Sequence, residues 1–229
     1  MKSIKENRIL VFAAHPDDEV LGCGGTIAKK TTKGYIVQTV FFSDGVGARH
    51  EKENIKKIEE RKKSAKLAAK ILKTKPPIFG KFPDNQLDTI SFLKIVKFVE
   101  KYIKIFKPSI IYTHFPEDLN IDHKLASLAV STACRPQKNK LVKKILFFEI
   151  PSSTEWKIII NKKNIFNPNW YEDISKTLDI KIKSLKVYGS ELKKWPHPRS
   201  LKGVKSLAQW RGATVGYKAA ESFVLGRKV

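Results

Sequence analysis

An α/β fold, with a parallel sheet and helices on both of its faces, is what the sequence predicts, on three observations. Short apolar runs alternate with longer stretches whose apolar residues recur at helical spacing. The first run, Ile9–Ala14, is apolar without interruption, as a strand covered on both faces must be. Glycine and proline stand where one kind of segment gives way to the other, at Gly34, Pro76-Pro77, Pro108 and Pro136. Strand, helix, strand, helix in that order is the Rossmann-like arrangement.

After Ile9–Ala14, Gly22–Lys33 is predicted helical and ends at Gly34. Tyr35–Phe42, rich in Val, Thr and Phe, is the second strand. Glu51–Leu72 is a helix, with apolar residues at 55, 58, 65, 68, 69 and 72, and stops before Pro76-Pro77. Ile78–Phe82 is a short strand. Ser91–Phe106 has a helical stripe at 92, 95, 96, 99, 102, 103 and 106 and closes at Lys107-Pro108. Ile110–Thr113 is a strand, Ile121–Cys134 a helix and Ile145–Ile150 a strand. Beyond Pro151 the pattern loosens. Trp156–Ile160 reads as an edge strand, Ile174–Tyr188 and Leu201–Tyr217 as helices, and Phe223–Leu225 as a last strand. No linker, repeat or low-complexity tract intervenes, so residues 1–229 are expected to form one domain, with an extension from about 151 completing its site.

Composition narrows the class. Of 229 residues, 41% are apolar and 29% charged, a globular balance, and no apolar run is long enough for a membrane span. The start, MKSIKENRIL, lacks a secretory pattern. Cys23 and Cys134 lie far apart, suggesting neither a disulfide framework nor a cysteine zinc site, so a cytoplasmic location is expected. Lys and Arg total 45 against 22 Asp and Glu, a net charge of +23. That excess favours polyanions in general. It is mostly scattered lysine without an arginine stripe or a reading module, so no specific nucleic-acid partner is expected.

The chemistry begins where the first strand runs into "HPDDE", residues 15 to 19. Three adjacent carboxylates repel one another, and an ordinary loop has no reason to gather them beside an imidazole. Ligands of open α/β sheets bind at the carboxyl ends of strands, which is where this cluster falls. His15 and Asp18, three apart on a turn, can converge on one point. Imidazole nitrogen with carboxylate oxygen suits zinc or another borderline dication, whose charge relieves the repulsion. Asp17 faces another direction and is the candidate general base toward a water. The competing reading has the acids capping the next helix, and Glu19 stays open between such a structural contact and the site.

The second element is "YTHFPEDLNIDHKLAS", residues 112 to 127, again after a predicted strand. His123 completes a His-Asp-His ligand set that leaves a position open for water. Asp122 reads as the cap of the following helix, or else as a carboxylate that orients an imidazole. His114 has no partner in spacing and reads as a loop histidine in a solvent or packing contact.

With these residues in view, the chain resembles the PIG-L/LmbE family of metal-dependent de-N-acetylases. "AHPDDE" at 14–19 and the later Asp-His carry the likeness, supported by "SDG" at 43–45, "EERKKSAKLAAKIL", "FPDNQLD" at 82–88 and the tail "AESFVLGRKV". The resemblance implies an LmbE-like fold and a hydrolase removing an N-acetyl group from an amino sugar or glycoconjugate precursor. Acetate and a free amine would be the products. It implies His15, Asp18 and His123 as ligands of Zn2+ (or Fe2+ in vivo), Asp17 as general base, and Arg61 and Asp84 as contacts to substrate hydroxyls. Many members carry a histidine three residues before the last ligand, where this chain has Asn120. Asparagine can donate a hydrogen bond to an oxyanion but cannot deliver a proton. "WPHPRSLKG", residues 195 to 203, resembles the C-terminal stretch of a subgroup that shares "DLNIDH". There His197 is expected to compensate for the missing histidine and Arg199 to bind an anionic substrate group. The substrate partner is thus a small N-acetylated sugar, nucleotide- or lipid-linked on the hint of the basic charge, and a homo-oligomer is compatible with the sequence.

Rival classes fit less well. A nucleotide-binding oxidoreductase lacks the G-x-G-x-x-G spacing, and the glycines of "GCGG" are better explained by close helix–sheet approach. A metal-dependent phosphoesterase needs more ligands than five histidines readily supply. A non-enzymatic polyanion-binding protein has only charge in its favour.

Overall fold

The computed structural model describes residues 7–43, 54–136, 142–158 and 165–229. Its strands are β1 (Arg8–Ala13), β2 (Ile36–Ser43), β3 (Ile78–Phe82), β4 (Ile110–His114), β5 (Lys144–Phe148), β6 (Trp170–Asp173) and β7 (Ala220–Lys228). The helices are α1 (Asp18–Thr32), α2 (Asn54–Ile71), α3 (Phe92–Phe106), α4 (Ile121–Ala133), α5 (Leu178–Lys186) and α6 (Leu201–Ala213), with a 3-10 turn at Leu87–Thr89.

The uninterrupted apolar character of β1 has a plain cause. Ile9, Val11 and Ala13 point into one hydrophobic cluster, and Leu10 and Phe12 into another, on the opposite face. The first cluster holds residues of α1, α2, α5 and α6, the second residues of α3 and α4. The sheet is thus covered on both sides, in the order β3-β2-β1-β4-β5-β7-β6. From β3 to β5 neighbours run parallel. β7 runs antiparallel to both β5 and β6, so the expected parallel sheet is extended by an antiparallel margin. Among the described residues, no helix is long and apolar enough to cross a membrane.

Local chemistry explains the boundaries. α3 buries Ile95, Val96 and Val99 and ends at Lys107, whose left-handed backbone (φ 52°) precedes Pro108. In α1 a Cβ at Gly22 would run into the Phe148 ring and one at Gly25 into Ile174, so glycine there permits the close helix–sheet approach. α1 is broken at Cys23 (φ −148°). Two buried charges repair the break: Lys181 Nζ donates to the Leu21 carbonyl at 2.7 Å, and Glu221 accepts from the Gly25 and Thr26 N–H groups at 2.9 and 2.6 Å. Lys181 and Glu221 also pair with each other at 2.6 Å.

One expectation needs correction. The expected edge strand at Trp156–Ile160 does not form: Trp156 lies in a turn and Lys157 in a bend, while residues 159 and 160 fall outside the described residues. The chain is held there by Ser153 and Thr154 N–H groups bonding back to the Ile150 carbonyl at 3.1 and 3.0 Å. The edge strand is β6 instead. Asp44 and Gly45 of "SDG" also lie outside the described residues.

Candidate metal and catalytic site

From β1 the chain crosses to β2 on one side, and β4 pairs on the other. The crevice outside the carboxyl ends of β1 and β4 is therefore the switch point where such sheets bind ligands. His15 follows β1, His114 ends β4, and the loop after β4 leads to His123 in the first turn of α4.

His15, Asp18 and His123 meet there. His15 Nδ1 lies 3.3 Å from Asp18 Oδ2, and His123 Nε2 lies 3.4 Å from the same oxygen. One donor atom from each falls within 4.8 Å of the others, and all three residues are buried. Donors on a tetrahedral zinc, with bonds of about 2.0–2.1 Å, stand roughly 3.3 Å apart. Among the described residues, Asp18 Oδ1 and His123 Nε2 are buried without a hydrogen-bond partner. Buried polar atoms seldom stay unsatisfied, so these are donors waiting for an electrophile, and the set fits a divalent cation.

Carboxylates behind the imidazoles set which nitrogen is offered. Asp118 Oδ1 lies 3.1 Å from His123 Nδ1, which leaves Nε2 for the centre. Asp118 is itself held by the Ser153 hydroxyl, by the Thr154 hydroxyl at 2.6 Å and by the Asn120 N–H at 2.9 Å. On the far side, His15 Nε2 lies 3.2 Å from Asp122 Oδ2 and 3.1 Å from Asp84 Oδ1. Asp84, expected at a substrate hydroxyl, thus faces the outer nitrogen of His15. Asp122 also accepts the Asn85 and Leu87 N–H groups at 2.8 and 3.0 Å. His15, Asp84 and Asp122 form a second close group, but Asp122's oxygens are already occupied by those amides.

The electrostatics agree. Burial opposes charge on His15, yet its bonds to Asp122, Asp18 and Asp84 hold its pKa well above the ordinary value. His123 is raised in the same way: burial opposes, and Asp18 and Asp118 prevail. Asp18, against burial, is pulled well below the usual carboxylate range by the His123 charge and by its bonds to His123 and His15. Asp118 is held at about 2, burial being outweighed chiefly by its bond to His123. The field at this point calls for positive charge.

His114 is not the loop histidine its isolation suggested. It is fully buried, its Nε2 accepts the Ala14 N–H at 2.8 Å, and its ring stacks on His123 at 3.9 Å. Burial and the neighbouring His123 charge lower its pKa well below the ordinary value, so it stays neutral and can accept that bond.

Asp17 faces another way because its backbone is strained. Its φ is 120°, a region L-residues seldom adopt, and its N–H is anchored by Glu19 Oε2 at 3.0 Å. Glu19 in turn accepts the Tyr188 hydroxyl at 2.7 Å, which makes it a structural contact. Asp17 Oδ2 lies 3.4 Å from Arg199 Nη1. Burial lifts the Asp17 pKa to about 6, while the Arg61 and Arg199 charges pull against it. Arg61 is buried and paired with Glu191. Arg199 is fixed by its Nε to the Pro151 carbonyl at 3.2 Å and the Ser152 hydroxyl at 2.8 Å.

Asn120, not Asp122, caps α4. Its Oδ1 accepts the Asp122 and His123 N–H groups at 2.8 and 3.3 Å, and its Nδ2 donates to Asn85 at 2.8 Å. A residue in extended conformation two places before Asp122 can reach those amides, whereas Asp122 already lies within the first turn. His197 sits farther out. Its Nδ1 accepts the Arg199 N–H at 3.1 Å, and its ring meets Trp156 edge-on at 5.3 Å.

Comparison with known proteins places this site in a family. Residues 10–134, more than half of the chain and including all three residues of the His-Asp-His group, match the family model PIG-L, GlcNAc-PI de-N-acetylase. The chain is 29% identical over 160 residues to the uncharacterized deacetylase YaiS of Escherichia coli, covering 65% of this chain and 77% of that protein. It is 25% identical over 227 residues to the diacetylchitobiose deacetylase of Thermococcus kodakarensis, covering 93% and 81%. Among solved structures, GalB, the 4-carboxy-2-hydroxymuconate hydratase of Pseudomonas putida, superposes with a TM-score of 0.77 at 18% identity over 97% of both chains. That likeness is one of fold alone, since one fold hosts many chemistries. With the matched segment spanning both strand ends that build the crevice, the chain belongs to the PIG-L (GlcNAc-PI de-N-acetylase) family and has its α/β deacetylase fold.

Proposed function

We propose that the chain is a metal-dependent deacetylase that hydrolyses the acetamide of an amino sugar to acetate and a free amine. The observation that carries this reading is the convergence of His15, Asp18 and His123 beside a separately held, ionisable Asp17. The family description and the diacetylchitobiose-acting relative support the substrate class.

His15 through Nδ1, the Asp18 carboxylate and His123 through Nε2 would hold the cation, zinc or ferrous iron. When bound, such a cation supplies Lewis-acid polarisation of the acyl carbonyl and acidifies a water. Asp17 accepts the proton of the attacking water as the carbon–oxygen bond forms. The carbon–nitrogen bond then breaks, and Asp17 returns the proton to the leaving nitrogen. A carboxyl lifted to about 6 suits both duties near neutral pH. Arg61 and Arg199 oppose its burial and keep its ionised form accessible.

For charge developing on the acyl oxygen the candidate protein donors are Asn120 and, from farther out, His197. Asn120 retains one amide N–H beyond its bond to Asn85. His197 Nδ1 accepts the Arg199 N–H, which leaves Nε2 as the ring atom that could face the substrate. Arg199 Nη groups are the candidate contact for an anionic substituent, and Arg61 and Asp84 for hydroxyls.

A two-cation phosphoesterase is disfavoured, because the second close group shares His15 with the first. The test is acetate release from N-acetylglucosamine and N,N'-diacetylchitobiose by the zinc- or iron-loaded protein, before and after chelation. Folded, metal-loaded protein that leaves every acetamide intact while releasing phosphate from a generic ester would reject the proposal.

A further inference from the structure

The geometry points to a second subsite on the indole of Trp156, one that takes a saccharide ring attached to the acetamido sugar; this rests on the amino-sugar reading above. Tryptophan is usually well buried, yet Trp156 is 50% exposed. Its turn is nevertheless tied to the site from within. Ser153 and Thr154 hold Asp118, which lies against His123, and Pro151 and Ser152 hold Arg199, which reaches Asp17. Trp156 continues that same turn outward, so its position relative to the acyl centre is fixed by the contacts that position His123 and Arg199.

The ring is also oriented. His197 meets it at 72° and 5.3 Å, an edge contact that steadies the indole. Beside it, Lys157 pairs with Glu117 at 2.6 Å, and Glu117 is exposed. An exposed aromatic plane, with the Lys157–Glu117 ion pair on the next residue of the chain, matches a pyranose, which offers a face of C–H groups and a rim of hydroxyls. A lipid chain would find no use for that ion pair. The acetamido ring occupies the buried crevice, and the next ring of the same glycan stacks on Trp156.

The experiment compares wild type with Trp156→Ala and Trp156→Phe, metal-loaded, on N-acetylglucosamine and N,N'-diacetylchitobiose. Trp156→Ala is expected to raise KM for the disaccharide about tenfold with kcat nearly unchanged. The monosaccharide parameters stay as in wild type, and Trp156→Phe recovers most of the loss. Equal losses on both substrates, or none on either, would overturn the subsite. Should no acetate be released from either sugar, calorimetric titration with the disaccharide decides separately: binding weakened by Trp156→Ala retains the subsite while the reaction fails. Disaccharide binding indifferent to the substitution, or absent in wild type, rejects it, as does a loss seen only with anionic lipid vesicles.

Discussion

Asp17 and Asp18 face opposite walls of one crevice, and the walls differ in kind. Behind Asp18 stand histidines that are themselves backed by Asp84, Asp118 and Asp122, so the wall concentrates negative charge and demands a cation. Behind Asp17 stand Arg61 and Arg199, with Glu19 and Tyr188 fixing its backbone. Asp18 is driven well below the ordinary carboxylate range, and Asp17 is lifted by burial to about 6. Two adjacent, identical side chains are thus driven in opposite directions by their surroundings alone, as the proposed roles of ligand and proton acceptor require.

The contrast breaks most visibly at the acids themselves. Asp17→Asn should lower turnover about 10³- to 10⁴-fold with metal retained, whereas Asp18→Asn should lose the metal as well; equilibrium dialysis with metal analysis separates the two. If both variants keep full metal, the division of labour is wrong. Next in size, Asp118→Asn should weaken metal affinity about 10- to 100-fold by freeing the His123 ring, measured by competition with a chelating dye.

Acid titration sharpens the other wall. The base must be ionised, so kcat/KM should fall as pH drops through about 6, or lower where the bound cation stabilises the carboxylate. Arg199→Gln removes a positive neighbour, raises the Asp17 pKa and should move that limb to higher pH; a shift the other way would contradict the assignment. The smallest effect is expected from Tyr188→Phe, which deletes the hydroxyl donated to buried Glu19 and should cost roughly 1–2 kcal/mol in denaturant unfolding.

Much of this was legible because it is local. Ile78–Phe82 forms the strand its composition foretells, and α3 the helix its stripe foretells. His15, Asp18 and His123 stood out because each follows a buried strand. α1 starts at Asp18 rather than at Gly22, since residues that looked like a ligand cluster are also its first turn. β6 was missed because Trp170–Asp173 is short and half polar. Asp118 and His114 escaped for a different reason. Their roles exist only once Ser153, Thr154 and the Ala14 N–H arrive from elsewhere in the fold. No spacing within the 112–127 stretch encodes those meetings.

The broken α1 ties the HPDDE segment to residues far along the sequence. Asp18 rides on a helix whose midpoint is completed by a lysine at 181 and a glutamate at 221. Without those two side chains the helix would carry free amides at Gly25 and Thr26 and an unanswered carbonyl at Leu21. The shape of the helix that begins at Asp18 therefore depends on two charges brought to it from α5 and β7, about 160 and 200 positions further along the sequence.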